Sequence, residues 1–205
     1  MLLGEPIEPY EHFNDVFTKE LKKAEILEDT QLCKDMRQQV IGTFELIRPA
    51  LDEYFSSKGG WSLVATEQDL MERVNDSYKF KGFIDLILKD GQGHYHIIDW
   101  KTCSWGWNAR KKNDILYTRQ LVLYKNFYAQ KLGISLRTIS THFGLIKRTA
   151  KKNQVEFFRV TSGPKKTENA LKLLNKALYN ITNKRYIKNR LSCKNCKFRH
   201  TEHCP

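Results

Sequence analysis

Apolar positions in this chain repeat with two periods, about 3.6 and about 2, and the switches between them mark out its elements. After Pro9, a charged segment from Tyr10 to Leu27 reads as a helix. A second helix starts at Asp29 or Thr30, either of which can cap it, and its apolar positions Cys33, Met36, Val40, Phe44, Ile47 and Leu51 share one face. Pro49 is expected to kink or interrupt that helix. Ser56 to Gly60 is a loop. Strand patterns then run from Trp61 to Glu67, over 78–89 and 94–101, from Ile139 to Lys147 and from Val155 to Val160. Asp90-Gly91-Gln92-Gly93 joins the central pair with strong turn chemistry. Asn113 can cap a helix that runs to Lys131 and stops at Gly133. An amphipathic helix over 164–189 places Ala170, Leu174, Ala177, Leu178 and Ile181 inward. The expected architecture is α/β, a mixed sheet flanked by helices. It comprises an N-terminal helical arm (1–58), a core (59–190) and a cysteine-rich tail (191–205), all in one folded unit.

Composition narrows what such a fold does. The 205 residues suffice for one sizeable core, and a 40% hydrophobic share excludes a disordered chain. Lysine and arginine number 35 against 23 acids, a formal net charge of +12. That excess suits a polyanionic partner, nucleic acid first and an anionic membrane surface second. The N-terminal MLLGEPIEPYEHF lacks the basic region and apolar stretch of a signal peptide, and no run of about 18 apolar residues occurs, so no membrane association is expected. The cysteines are Cys33, Cys103, Cys193, Cys196 and Cys204, odd in number and crowded at the C-terminus. A reducing cytoplasm (a host's, for a viral chain) and a metal site fit them better than a disulfide framework. No Walker-type phosphate loop is present, so no nucleotide-driven motor is expected.

Two acids interrupt the central pair of strands, Asp85 in KGFIDLIL and Asp99 in HIIDWK. A lone buried carboxylate is costly, so such acids need partners or a metal. Side chains alternate along a strand, so Asp99 and Lys101 share a face while Trp100 points the other way. Asp85 joins them only if it faces Asp99 across the ladder, with Lys101 opposite Phe83. That register demands an odd-numbered turn, such as a three-residue loop at Gly91–Gly93, or a bulge. Two adjacent carboxylates with a backbone carbonyl make a hard oxygen site suited to Mg²⁺ or Mn²⁺. Lys101 could hold or deprotonate a water there, or stabilise charge on a phosphate. For the D-x-K triplet alone, a structural salt bridge is the competing explanation.

Taken together, Gly82-Phe83-Ile84-Asp85, Asp99-Trp100-Lys101 and Gln120-Leu121-Val122-Leu123-Tyr124 resemble the motif series of the RecB-like branch of the PD-(D/E)XK nuclease superfamily. That branch includes phage exonucleases, AddAB nuclease domains and CRISPR-associated adaptation nucleases. The resemblance covers residues 61–130 and part of the C-terminus. It implies a restriction-endonuclease-like central sheet and a divalent-metal-dependent DNA nuclease, an exonuclease ahead of an endonuclease. It implies Asp85 and Asp99 as metal ligands, the Trp100 carbonyl as a further ligand, and Lys101 as the catalytic lysine. Gln120 and Tyr124 would form a helix face bordering the site and the DNA. Glu67, in VATEQDL, resembles the acid that often precedes the G-x-x-D strand, as a ligand or a supporting group. Relatives often place an upstream histidine on the metal. Here no histidine lies between His12 and His94, Glu45 is the acid in a comparable place, and the third ligand stays open. DNA, especially ends or single strands, is the implied partner, with a helicase or recombinase as a further one in recombination or repair.

The tail from Cys193 to Cys204 resembles that of relatives whose iron–sulfur cluster uses one distant and three C-terminal cysteines. That implies Cys33, Cys193, Cys196 and Cys204 as ligands. Zinc on Cys193, Cys196, Cys204 and either His200 or His203 is the alternative. Cys103 reads as a spectator. Arg110, Lys111, Lys112, Arg119, Lys147, Arg148, Lys151, Lys152, Lys184, Arg185 and Arg190 are candidate phosphate contacts. Trp105 and Trp107 either stack on unpaired bases or cap the core. A non-catalytic nucleic-acid-binding protein with a zinc tail is the functional alternative from another class.

Overall fold

Strands β2 (Lys79–Asp90) and β3 (Tyr95–Cys103) bury apolar side chains on both faces: Ile84, Ile87, Leu88, Ile97 and Ile98 are fully buried. Such strands need cover on both sides. The computed structural model, which describes residues 9–26, 30–187 and 190–202, supplies that cover with two helices in the first of two compact units, 1–163 and 164–205. The first unit holds a five-stranded sheet in the order β1 (Trp61–Arg73), β2, β3, β4 (Ile139–Lys147), β5 (Val155–Val160). All pairs are antiparallel except β3 with β4. A parallel neighbour requires a crossover, and helix α4 (Ile115–Leu132) lies between the two in sequence.

Helix α1 (Pro9–Lys23) precedes α2 (Gln31–Phe55), and Thr30 caps α2 by accepting the Cys33 N–H at 3.2 Å. Of the expected boundaries, Leu27 and Asp29 lie outside the described residues. Pro49 does not interrupt α2, which is helical throughout. The last turns of α2 bring Leu51 and Phe55 against Leu86, Leu88, Ile98 and Phe157. Helix α4 covers the opposite face, with Tyr128 against Tyr95 and Phe127 stacked on Phe80 at 4.4 Å. Two sequence expectations need correction here. β1 runs to Arg73, well past Glu67, because it pairs with the whole length of β2. Asn113 does not cap the crossover helix: Asp114 does, accepting the Leu116 N–H at 2.8 Å, and Asn108 caps a separate short helix, α3 (Ala109–Lys112). Gly133 closes α4 in the left-handed conformation, as expected.

In the second unit, α5 (Pro164–Thr182) ends short of residue 189. Lys184 takes the left-handed conformation and the Arg185 N–H returns to the Asn180 carbonyl at 2.8 Å, a Schellman-type stop built without glycine. Ala170 is buried, and Leu174 and Leu178 are half-buried. Ala177 and Ile181 are exposed, so the inward stripe is narrower than expected.

Behind the sheet, on the α2 face, runs a polar chain with no counterpart in the sequence reading. His96 Nε2 meets Asp90 Oδ2 at 2.9 Å, His96 Nδ1 meets His142 Nε2 at 3.0 Å, and His142 Nδ1 meets the Tyr54 hydroxyl at 3.0 Å. One proton arrangement satisfies every contact: Tyr54 donates to His142, His142 to His96, and His96 to Asp90, with both rings neutral. Burial lowers the pKa of His94, His96 and His142, with Lys58 pushing the same way at all three and Arg159 at His94 and His142. The Asp90 carboxylate opposes this at His94 and His96. For Asp90, burial raises the pKa, but the bonds from His96, His94 and Gln92 outweigh it and the net shift is downward. The unfolded chain therefore binds more protons than the native one just below the ordinary histidine pKa of about 6.5. This stabilisation is complete above that pH and is lost as pH falls through it. The urea midpoint should drop between pH 8 and pH 5, and a flat midpoint over that range would exclude the neutral arrangement.

Candidate active site

The turn between β2 and β3 sets the geometry. The Asp90 N–H bonds the His94 carbonyl and the Gly93 N–H bonds the Asp90 carbonyl, both at 2.9 Å, leaving Gly91, Gln92 and Gly93 as a three-residue loop. Gly93 sits at φ 82°, a backbone that glycine adopts without penalty. With this odd loop, Lys89 pairs with Tyr95, Leu88 with His96, Ile87 with Ile97 and Leu86 with Ile98. One further step faces Asp85 with Asp99, the register the two acids required.

The ladder ends at that step. The Trp100 N–H, beyond the end of the backbone ladder with β2, donates to Asp85 Oδ2 at 2.7 Å. Asp85 is thereby turned towards β3 and held beside Asp99. Asp99 is 1% exposed. Burial raises its pKa, Lys101 pulls it back, and the neighbouring Asp85 charge raises it further. Lys101 Nζ forms an ion pair with Asp99 Oδ2, yet that buried oxygen has no aligned hydrogen-bond donor. Trp100 packs the other way, against Phe157 and over Gly144, where a Cβ would come within 2.6 Å of the indole.

Helix α4 completes the site. Lys101 Nζ reaches Gln120 Oε1 at 3.5 Å, and Gln120 Nε2 donates to the Tyr124 hydroxyl at 3.0 Å. The two helical residues lie one turn apart on one face, as their spacing requires. Tyr124 in turn explains Gly82: a Cβ there would lie 2.7 Å from the tyrosine ring. The Phe143 ring, register partner of Asp99 on β4, lies 6.0 Å beneath Lys101 Nζ.

Other expected residues take no part in these contacts. Glu67 occupies the register position opposite Asp85, between the pairs Thr66↔Leu86 and Gln68↔Ile84. Its backbone is left-handed at φ 47° and its side chain is exposed. Glu45 accepts from the Tyr10 hydroxyl at 3.0 Å. Trp107 is no free stacking surface, because it is buried against Tyr117, Phe143 and Phe158. Lys112 and Lys147 are not free phosphate contacts either, since Glu156 binds both. Burial raises the Glu156 pKa, but the two lysines outweigh it and hold the carboxyl below the ordinary range. Lys111 lies over the rings of Trp107 and Tyr117, and the Arg148 N–H bonds the Cys103 carbonyl at 2.8 Å. Trp105 and Arg110 remain exposed, and Arg119 is half-buried. The role of Glu156 was missed. Its only sequence signal is one acid in an apolar strand that follows a lysine-rich turn.

In the tail, the Cys196 N–H bonds the Cys193 carbonyl at 3.3 Å, so the two cysteines flank one turn. Cys33 is buried on α2 in the first unit. Cys204 and His203 lie outside the described residues. Among the described residues, no group of three His, Cys, Asp or Glu is gathered for a metal. The paired acids still fit a hard cation on two counts: their charges repel each other, and Asp99 Oδ2 is buried without a directed donor. A small divalent ion held by one or two carboxylates, keeping several waters, suits such a donor set.

The sequence model of the PD-(D/E)XK nuclease superfamily matches residues 4–204. Among solved structures, the crystal structure of a candidate exonuclease from Eubacterium rectale is similar at TM-score 0.55 and 15% identity, over 93% of this chain and 68% of that one. At that identity the likeness is one of fold. The crystal structure of SSO0001 aligns over 92% of this chain and 94% of that one at 13% identity and TM-score 0.46, too distant to carry an argument. No curated protein matches the sequence. The described residues contain no helix long and apolar enough to cross a membrane.

The close approach at Gly82 gives a direct test. Gly82→Ala should cost about 1–3 kcal/mol by overpacking and should displace Tyr124 and Gln120 from Lys101. A variant with the parent's unfolding midpoint would show that the ring yields freely.

Proposed function

We propose that this chain, which belongs to the PD-(D/E)XK nuclease superfamily, is a divalent-metal-dependent deoxyribonuclease of the RecB-like branch, an exonuclease acting at DNA ends or on single strands. One observation carries the reading: the ladder ends where Asp85 faces Asp99, and the residue two beyond Asp99 is an ion-paired lysine. A salt bridge needed only for stability has no use for a second carboxylate turned towards the first. The exonuclease form is put ahead of the endonuclease by analogy with the stand-alone relatives of the branch.

Asp85 and Asp99 would hold the ion, Mg²⁺ or Mn²⁺ in this superfamily, with the Trp100 carbonyl as a further ligand. When bound, the ion lowers the pKa of a water and offsets the charge that builds on the phosphate. Trp100 orients Asp85 through its N–H. Lys101 places its ammonium at Asp99 Oδ2, where it can orient the attacking water or meet charge on a phosphoryl oxygen. Gln120 limits where that ammonium points, and the Phe143 ring walls off its far side. Exposed Arg110 and half-buried Arg119 neutralise phosphates of the bound strand.

Asp99→Ala and Lys101→Ala should each slow DNA hydrolysis in Mg²⁺ by about 10²–10³-fold or more, with Mn²⁺ and EDTA as further arms. Parent-like rates in both variants would end the catalytic assignment. Degradation of linear but not closed-circular DNA is the expected pattern; nicking of circles would make the enzyme an endonuclease. By the tail's resemblance to that of cluster-bearing relatives, Cys193 and Cys196 are assigned to an iron–sulfur cluster, with zinc as the rival. A visible absorption band that Cys196→Ala removes is the expected signature, whereas a colourless, zinc-containing protein would decide for the rival.

A further inference from the structure

The first turn of α4 is unusual for a surface helix. Ile115, Leu116 and Tyr117 are consecutive and exposed at 59%, 75% and 36%. Three exposed apolar residues in a row are a liability on a solvated helix unless something covers them. Trp105, in the preceding loop, is 77% exposed. That loop is well anchored. The Cys103 carbonyl accepts the Arg148 N–H at 2.8 Å, and the Ser104 carbonyl accepts both the N–H and the hydroxyl of Thr149. Trp107, two residues on, packs against Tyr117 with ring centroids 5.0 Å apart, which ties the loop to the apolar turn of α4.

The place of this turn relative to the acids follows from helix geometry. Leu116, Gln120 and Tyr124 recur every four residues and form one stripe. Gln120 touches Lys101, so Leu116 lies one helical turn, about 5.4 Å, from the residue that meets the catalytic lysine. Cations border the apolar turn: exposed Arg110, Lys111 over the Trp107 and Tyr117 rings, and Arg119 four residues after Ile115. Apolar and aromatic side chains bordered by cations beside a phosphate-cleaving centre match one kind of occupant best. Unpaired nucleobases offer flat faces to stack and bring phosphates for the cations.

We infer that Trp105, with Ile115 and Leu116, forms a stacking ledge for unpaired bases of the strand whose phosphate enters the active site. The inference rests on the nuclease reading and deepens it. Bases within a duplex hide their faces in the stack, so the ledge selects overhangs, frayed ends or single strands.

Fluorescence anisotropy of the full chain in EDTA tests the ledge without cleavage, using dye-labelled oligo-dT against a blunt hairpin duplex at one salt concentration. Trp105→Ala and Leu116→Ser should each weaken oligo-dT binding by about 5- to 30-fold, with the hairpin affinity held within about twofold. Trp105→Phe, which keeps an aromatic face, should recover most of the loss, and parent-like unfolding midpoints confirm that the variants fold. Unchanged oligo-dT binding, or equal loss on both ligands, overturns the ledge. The Asp99→Ala cleavage assay is independent of this result. Cleavage surviving Asp99→Ala would end the assignment of the catalytic site while the binding data still decide the ledge.

Discussion

The hydrogen bond from the Trp100 N–H to Asp85 Oδ2 joins β2 to β3 where their backbone ladder stops. A buried N–H left without an acceptor costs about 1–3 kcal/mol, so strands cannot part inside a core without a substitute. Here the substitute is a carboxylate, and its use has a second effect. It draws Asp85 towards β3 until its charge raises the pKa of Asp99. Two like charges in a dry place are then left for Lys101 to offset in part. Trp100 can act as the donor because it is fixed from behind, its indole filling the space that Gly144 leaves open. The site is thus a consequence of how one strand pair ends.

The two faces of the sheet treat charge differently. On the α2 face, Tyr54, His142, His96 and Asp90 close a chain in which each donor has one acceptor and the rings are neutral. That chain ends on the turn that sets the register of β2 and β3, so a buried polar network supports the hairpin from the far end. On the α4 face, Asp99 Oδ2 is buried without an aligned donor and its ion-pair partner is partly exposed. A satisfied network rigidifies, whereas a partly satisfied one leaves capacity for a ligand. The contrast separates a satisfied cluster of ionisable groups from one with capacity left for a ligand, although both draw on β2 and β3.

Much of this was legible in the sequence because strand alternation is strict. Asp99 and Lys101 had to share a face, and the acids could meet only through an odd turn, which Gly91–Gly93 provides. Helical spacing put Gln120 and Tyr124 on one face, and the motif resemblance put that face beside the acids. What could not be read were features decided by contacts distant in sequence. β1 outran its own apolar pattern because β2 offered a full-length partner. Asp114 rather than Asn113 caps α4, a choice between adjacent residues that propensity cannot make. The histidine chain joins residues from α2, β2, β3 and β4, and no local pattern announces it. Trp107 and Trp105 look alike in sequence, yet one is core and the other is solvent-exposed.

Net charge was the least direct guide to the DNA surface, and the reason is physical. Several cations near the site are already engaged. Glu156 binds Lys112 and Lys147, Lys111 lies over two rings, and buried Lys125 bonds Ser162. Each of these holds the scaffold together and has less to offer a phosphate than a solvated lysine. Because Lys112 and Lys147 meet at Glu156, one acid ties the end of α3 to the end of β4. Gly106, within the Trp105 loop, lies close enough that a Cβ there would meet Lys147 at 3.3 Å. Charge that could have bound DNA directly instead fixes the loop that carries the exposed tryptophan. On the proposed reading, a surface with fewer unspent cations and an apolar ledge would discriminate by what the strand exposes more than by how much charge it carries.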